Sequence, residues 1–564
     1  MDVIDILMAK MLSGGSGGGG GGGSSLPSVT TADNGKTLGV VSGAWAAKNG
    51  GFVTPEDFGA KGDGTTDDTV AVRKAFEASN GILLTGKYLI SSAISISDHR
   101  TIIGAGGEII STATDCLRLA DGAAIQGVKF TARGTAPERI LRVAGGKAFV
   151  DNCAVTSENT LASANGVQLL HFANCDSVVV RNTTVKNVSA LGDGNIANPT
   201  GSVYGVYCND CDSVMISNVV GENIHNVNSN GNIILEDASC VYVSGDSTIT
   251  EISDCDFRNC GKRAVKVQCE QAFVSGTYFY SDSGDNLCLL GIQDDESEDE
   301  QYGFVSGCSF VDAATYSDSA HYCLSSSEHL FASDCKFKTT AAYNVLLNGY
   351  QQYENCQFDK TALVRSTGNK QKFVNCDIAR ISNNDTGSDI VELHDCNVEE
   401  FFGLIEAYNS NIYYTVIYCT TDSTTRCKLI NCHISSKDGH NVISSISNPC
   451  DIINCTVWAG NPSNARILDI YADCFIDGLR NVNPSYTGNT LGIKMSAGNI
   501  TLKNCDILAM WFYWTSSYTS TFKMYPFPVE SLPADSHAFP NAYVFNMADG
   551  KFYKFENGAW AAKS

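Results

Sequence analysis

Four charged positions have the chemistry and the strand context to act on a bound molecule. Arg263 stands in Lys262-Arg263-Ala264-Val265-Lys266, and a cationic side chain beside carboxylates can serve as a base. Asp282, Asp285 and Asp312, with Asp318 nearby, flank short apolar runs just downstream. Two carboxylates about 5–9.5 Å apart are what hydrolysis of a glycosidic bond requires. Insertions in this stretch change local chain length, so the sequence leaves the register of those carboxylates open. Successive strand residues point to opposite faces, which puts Arg263 and Lys266, three apart, on opposite sides.

Tyrosines are the second candidate set. Tyr204 and Tyr207 flank Gly205, and Tyr413, Tyr414 and Tyr418 form another group. Flat rings of this kind offer apolar surface to the apolar faces of sugars. Met510-Trp511-Phe512-Tyr513-Trp514 reads as an end cap or a subunit contact. No metal site is expected. The nine His show no ligand spacing, and Asp63, Asp67 and Asp68 lack the spacing of a calcium loop. Thr66, Asp67 and Asp68 are expected instead to cap a helix continuing through Val72, Ala75, Phe76 and Ser79. Asp294–Glu300 places six negative charges in seven residues and reads as a solvated loop.

The elements that must position these residues repeat. Ten segments share one form: apolar, any, Asn/Asp/Gly, Cys, any, apolar. Val150-Asp151-Asn152-Cys153-Ala154-Val155 is the first and Leu502–Ile507 the last. Cys335, Cys356, Cys376 and Cys396 are 21, 20 and 20 residues apart. Alternation slips by one at the residue before each Cys, and Asn, Asp and Gly tolerate the left-handed backbone such a slip needs. Each repeat is therefore a bend between two short strands facing one core, and the chain is expected to be all-β: a single-stranded parallel β-helix, one coil per repeat. Stacked Cys side chains about 4.8 Å apart stay outside ordinary disulfide geometry, so a ladder of free thiols is expected.

Composition narrows the partners. The chain has 564 residues and a net charge of −23, with 43% apolar residues. Nucleic-acid and anionic-lipid partners need clustered Lys and Arg, so neither is expected. No run of eighteen apolar residues is present, and no membrane insertion is expected. Residues 1–12 carry Asp2 and Asp5 where a secretory signal needs positive charge, so they read as a short attachment helix. Residues 13–28 are a Gly/Ser linker. Residues 29–50 and 511–564 each hold a hairpin ending in Gly-Ala-Trp, Gly43-Ala44-Trp45 and Gly558-Ala559-Trp560. The coils are expected over 51–510.

Asp57-Phe58-Gly59-Ala60-Lys61-Gly62-Asp63-Gly64, with Thr66-Asp67-Asp68 and Gly86-Lys87-Tyr88, resembles the opening of the pectate-lyase-superfamily domain. The resemblance implies a right-handed parallel β-helix with a short N-terminal capping helix, as found in bacteriophage tail spikes and tail fibres and in polysaccharide lyases and hydrolases. Joined to the linker and hairpins, it implies a virion tail protein that binds, and cleaves, a bacterial surface polysaccharide. It further implies attachment to other tail proteins through the N-terminus, a homotrimer, and no cofactor except Ca²⁺ for lyase chemistry. A non-catalytic spike and a secreted, extracellular pectin-type enzyme are the alternatives. The hydrolase motif set is incomplete: Asn209-Asp210-Cys211-Asp212 has no matching Gly-His-Gly, and His440 stands in Asp438-Gly439-His440-Asn441.

Overall fold

The computed structural model describes residues 37–41, 44–48, 51–162, 166–192, 201–293, 301–315, 321–326, 329–364, 370–383, 389–413, 415–417, 424–435, 443–458, 468–481, 493–495, 498–505, 512–514, 522–524, 527–529, 543–546, 549, 551–557 and 559–563. Most short strands between Asp63 and Met524 stack in parallel on strands one coil before and one coil after, while Ile233–Ile234 pairs antiparallel with Val220–Val227. Val150, Val180, Ile216, Ile252, Val274 and Val305 are consecutive partners in one such row. All six are buried. Apolar residues one coil apart thus cover each other, and the chain is a parallel β-helix around one continuous core.

The bend works as its residue types suggest. Asn152, Asp254, Gly307, Asp334, Asn355, Asn375, Asp395, Asn431, Asn454 and Asn504 all have φ between 50° and 61°. Several also bond along the stack. Asn375 donates its amide to Asn355 Oδ1 at 2.7 Å, and Asn355 donates to Asp334 Oδ1 at 3.2 Å. All 22 described cysteines are free and buried, and Cys419 lies outside the described residues. The Cys356 backbone N–H donates to Cys376 Sγ at 3.4 Å, one coil away. Burial pushes the Cys255 thiol up to about 12. Two residues after the bend cysteines, Phe257, Phe310, Phe337 and Phe358 form an internal stack with Phe279, at centroid distances of 4.8–5.7 Å.

The helix Thr69–Ala78 packs on the first coil and buries Val72, Ala75 and Phe76. Its acidic start divides the labour differently from a simple cap. Asp67 Oδ1 accepts the Thr69 N–H at 3.0 Å. Asp68, at the N-cap position, turns back to accept the N–H groups of Lys61 and Gly62 at 2.7 and 3.0 Å. It fastens the preceding glycine loop instead of the helix.

The far end corrects a boundary. Parallel pairing passes residue 510: Phe512–Trp514 pairs with Ile493–Met495, and Phe522–Met524 with Ile500–Leu502. Phe512–Trp514 is a strand of the stack rather than a cap following it. Both terminal hairpins form, Thr37–Val41 with Ala44–Lys48 and Lys551–Glu556 with Ala559–Lys563, each antiparallel.

Candidate functional site

One ladder of strands gathers the polar chemistry. In stacking order it runs Ile94–Ile96, Asp115–Ala120, Arg139–Ala144, Val167–Ala173, Val203–Asn209, Ala238–Ser244, Val265–Val267 and Cys288–Ile292. These segments bury two consecutive residues each: Cys116–Leu117, Ile140–Leu141, Leu169–Leu170, Cys240–Val241 and Ala264–Val265 are 0–2% exposed. In Val203–Asn209 the pair is Gly205–Val206, and a Cβ on Gly205 would lie 2.6 Å from interior Val185 Cγ1. Two inward residues in a row shift the alternation, so side chains three apart emerge on one side.

Tyr204 and Tyr207 stack at 5.5 Å for this reason. The same slip overturns the expectation for Arg263 and Lys266. Both flank the buried Ala264–Val265 pair and both feel the Asp237 carboxylate. Simple alternation fails because the strand enters its bend with two core residues rather than one.

The outer row of this ladder reads Ser95, Arg118, Arg142, His171, Tyr207, Tyr242, Lys266 and Gly291, each the direct partner of the next. Tyr242 lies 5.2 Å from Tyr207 and 4.9 Å from Tyr204, and His171 lies 5.1 Å from Tyr207, centroid to centroid. Lys266 Nζ sits 4.2 Å over the Tyr242 ring and donates to its hydroxyl at 3.1 Å. Asp237 closes the group. The Tyr204 hydroxyl donates to Asp237 Oδ2 at 2.6 Å, and Arg263 reaches Oδ1 at 3.4 Å. Gly291 makes room for Arg263, since a Cβ there would stand 3.0 Å from Arg263 Cδ.

Burial sets the electrostatics. It lowers Lys266, with Arg263 and Lys262 adding to the effect against Asp237, and it lowers Lys262 as well. It raises Tyr207, carries Tyr242 up to about 12, and with Asp237 carries Tyr204 far above the usual phenol range. His171 is pushed down to about 4 by burial and then by Arg139 and Arg142.

The aspartates singled out from sequence stand elsewhere. Arg263 pairs with Asp237, not with Asp282, Asp285 or Asp312. Asp282 is exposed and accepts the Tyr280 hydroxyl at 2.8 Å. Asp285 is buried against His225 Nδ1 at 2.8 Å. Asp312 is buried and accepts the Thr339 hydroxyl at 3.3 Å. Ser281 and Asp312 are partners on a neighbouring ladder. Tyr413 is 52% exposed and sits many coils from Tyr204 and Tyr207, so the two tyrosine groups are not one surface. Asp294–Glu300, Asp318, Tyr414, Tyr418 and His440 lie outside the described residues.

Asp237, Tyr242 and Arg142 escaped the sequence reading. A signal for most of the row exists. Arg118, Arg142, His171, Tyr207 and Tyr242 each stand three residues before a left-handed residue: Asp121, Gly145, Asn174, Asp210 and Gly245. Asp237 precedes its strand and has no such marker.

Residues 52–315 match the family model described as rhamnogalacturonase A/epimerase, pectate lyase-like. A 61-residue segment is 46% identical to "Depolymerase 1, capsule K30/K69-specific" of Klebsiella phage K5-2. That segment is 10% of this chain and 8% of the relative. Among solved structures, the tailspike protein gp49 of Pseudomonas phage LKA1 is 11% identical, with 80% of this chain and 81% of that one covered at a TM-score of 0.24. The gene product 12 N-terminal fragment of bacteriophage Phi29 is 11% identical, with 90% and 97% covered at a TM-score of 0.34. Residues 52–315 are thus similar to a pectate-lyase-like family, and the parallel coils begun there run on to Met524.

Proposed function

We propose that the chain is a tailspike-like depolymerase that lays a bacterial surface polysaccharide along Tyr207, Tyr242 and Lys266 and breaks it by β-elimination. The observation that carries this reading is the grouping of Lys266, Arg263 and Asp237 beside the packed rings of Tyr204, Tyr207 and Tyr242. The phage relative matched over 61 residues, whose name is that of a capsule depolymerase, supports the substrate class. The terminal hairpins and the linker support a virion tail location, with attachment through the N-terminus.

In this reading Arg263 offsets the carboxylate of a uronic acid, which makes the proton at C5 more acidic. Lys266, its ammonium form disfavoured by burial, takes that proton. The electron pair forms the C4–C5 double bond, and the bond from C4 to the glycosidic oxygen breaks. The departing oxygen takes the Tyr242 hydroxyl proton, and Lys266 returns the proton it gained across their 3.1 Å contact. Asp237 holds Arg263 and Tyr204 in place. Hydrolysis would need a second open carboxylate, and the neighbouring Glu236 is wholly buried. Calcium does not fit this group, because the ion takes six to eight oxygen ligands and Asp237 is ringed by Arg263, Lys262 and Lys266.

The test is incubation of the full chain with host capsular glycan. Absorbance from unsaturated sugar ends should rise, and Lys266→Met should lower the rate by about a hundredfold or more with melting unchanged. Reducing ends without that absorbance would mean hydrolysis. Binding with neither product would mean a non-catalytic spike.

A further inference from the structure

Arg142 stands apart from the two arginines nearest it in the coils. Arg118 and Arg139 both pair with Asp115. Arg142 makes no ion pair or hydrogen bond with any described residue, and its Nε is buried without a partner. An unpaired guanidinium is unexpected in a chain of net charge −23. Arg118 and Arg142 are also direct partners on adjacent strands. Like charges so placed repel, and a bound anion between them would offset the cost.

There is room for one. A cavity of about 440 Å³ opens here, lined by both guanidinium-bearing side chains, by Ser95 and Ser97, and by apolar Ile96 and Leu119. Cations, hydroxyls and an apolar wall together suit a sugar ring bearing a carboxylate better than a small inorganic ion. The cavity also lies on the same outer row as the aromatic group. Four coil steps separate Arg142 from Lys266, through His171, Tyr207 and Tyr242, or about 19 Å at about 4.8 Å per step.

We propose that this cavity is a separate subsite for a carboxylated sugar, which anchors the polysaccharide about four coils from the point of cleavage. It deepens the depolymerase reading and rests on it for the polysaccharide's path. His171, held neutral between the two sites, adds no competing positive charge.

The experiment is calorimetry at low salt on the full chain carrying Lys266→Met, which prevents turnover. The probes are a galacturonic-acid hexasaccharide and its fully methyl-esterified twin. The acidic form should bind at least tenfold tighter than the ester, and Arg142→Met should cut that preference at least threefold, leaving the part that Arg263 supplies. Arg142→Lys, which keeps the charge, should retain most of it. The assignment is overturned if acid and ester bind equally, if neither binds, or if Arg142→Met leaves the preference intact. Should Arg142→Met fail to fold, Arg142→Gln, which also removes the charge, takes its place in the same comparison. Inorganic phosphate displacing the acidic hexasaccharide as well as free galacturonate does would reduce the cavity to a simple anion hole and overturn the sugar assignment. Preference that depends on Arg142, with no cleavage by the unsubstituted chain, would end the depolymerase reading and leave the subsite standing.

Discussion

His171 shows how one residue can carry both stability and function. It packs on Tyr207 and is surrounded by Arg139 and Arg142, so the fold holds it neutral, with its pKa near 4. An unfolded histidine titrates near 6.5. Between those values the unfolded chain binds the extra proton, so stability is full above the unfolded value and declines as pH falls. His171→Phe should remove that part of the decline. Urea midpoints at pH 7 and pH 5 check it: the parent should lose more than the variant, and equal losses would refute the assignment. Tyr242 separates two roles in a similar way. Tyr242→Phe keeps the ring and removes the hydroxyl that Lys266 contacts, so glycan binding should persist while product formation collapses. Tyr242→Ala should weaken binding as well. Glycan calorimetry alongside a rate assay distinguishes these outcomes.

At the scale of the coil, the bend is the element that recurs. Asn375 has φ 51° and donates to Asn355 in the preceding coil. Asn375→Gly should lose only the amide bond, about 1 kcal/mol. Asn375→Ala should lose that and also meet left-handed strain of roughly 1–2 kcal/mol. Denaturant unfolding of the two variants should therefore rank Ala below Gly, and the reverse order would contradict a conformational role. The thiols beside the bends make a second prediction. Buried, high-pKa cysteines are inert, and those described are all buried. Folded protein should react with few equivalents of a thiol reagent, rising on denaturation toward the 23 in the sequence. Many disulfides after preparation under thiol-blocking conditions would contradict the ladder of free thiols.

For the whole molecule, the question is what the outer surfaces are for. A second outer row, on the ladder that carries the bends, runs Phe149, Val179, Met215, Glu251, Phe273, Phe304 and Phe331. Phe273 and Phe304 stack at 4.8 Å, and Phe304 is 36% exposed. Farther along, the row turns charged, with Glu406 bridging Lys370 and Lys428. An outer row this rich in apolar side chains, interrupted at Glu251, suits burial against further copies of the chain, and a homotrimer is the proposed assembly. Light scattering at micromolar concentration should give three times the chain mass, and Phe304→Glu should lower it without unfolding the coils. A monomeric parent would refute it.

The architecture was legible because its signals are local. The residue before each bend cysteine must tolerate a left-handed backbone, and composition at ten such positions reveals the bends wherever the coils fall. The capping helix and terminal hairpins are likewise set by neighbouring residues. The candidate site was not legible, for two physical reasons. First, whether Arg263 and Lys266 share a face depends on two consecutive core residues between them, which only packing against adjacent coils establishes. Second, Arg142, His171, Tyr207, Tyr242 and Lys266 are separated by 29, 36, 35 and 24 residues. Unequal coil lengths hide a row that pairing makes continuous. The sequence by itself determined that coils would form and which residues would turn them. Only the tertiary structure decided which side chains meet from coil to coil, because that register is set by how much chain each coil leaves outside the core.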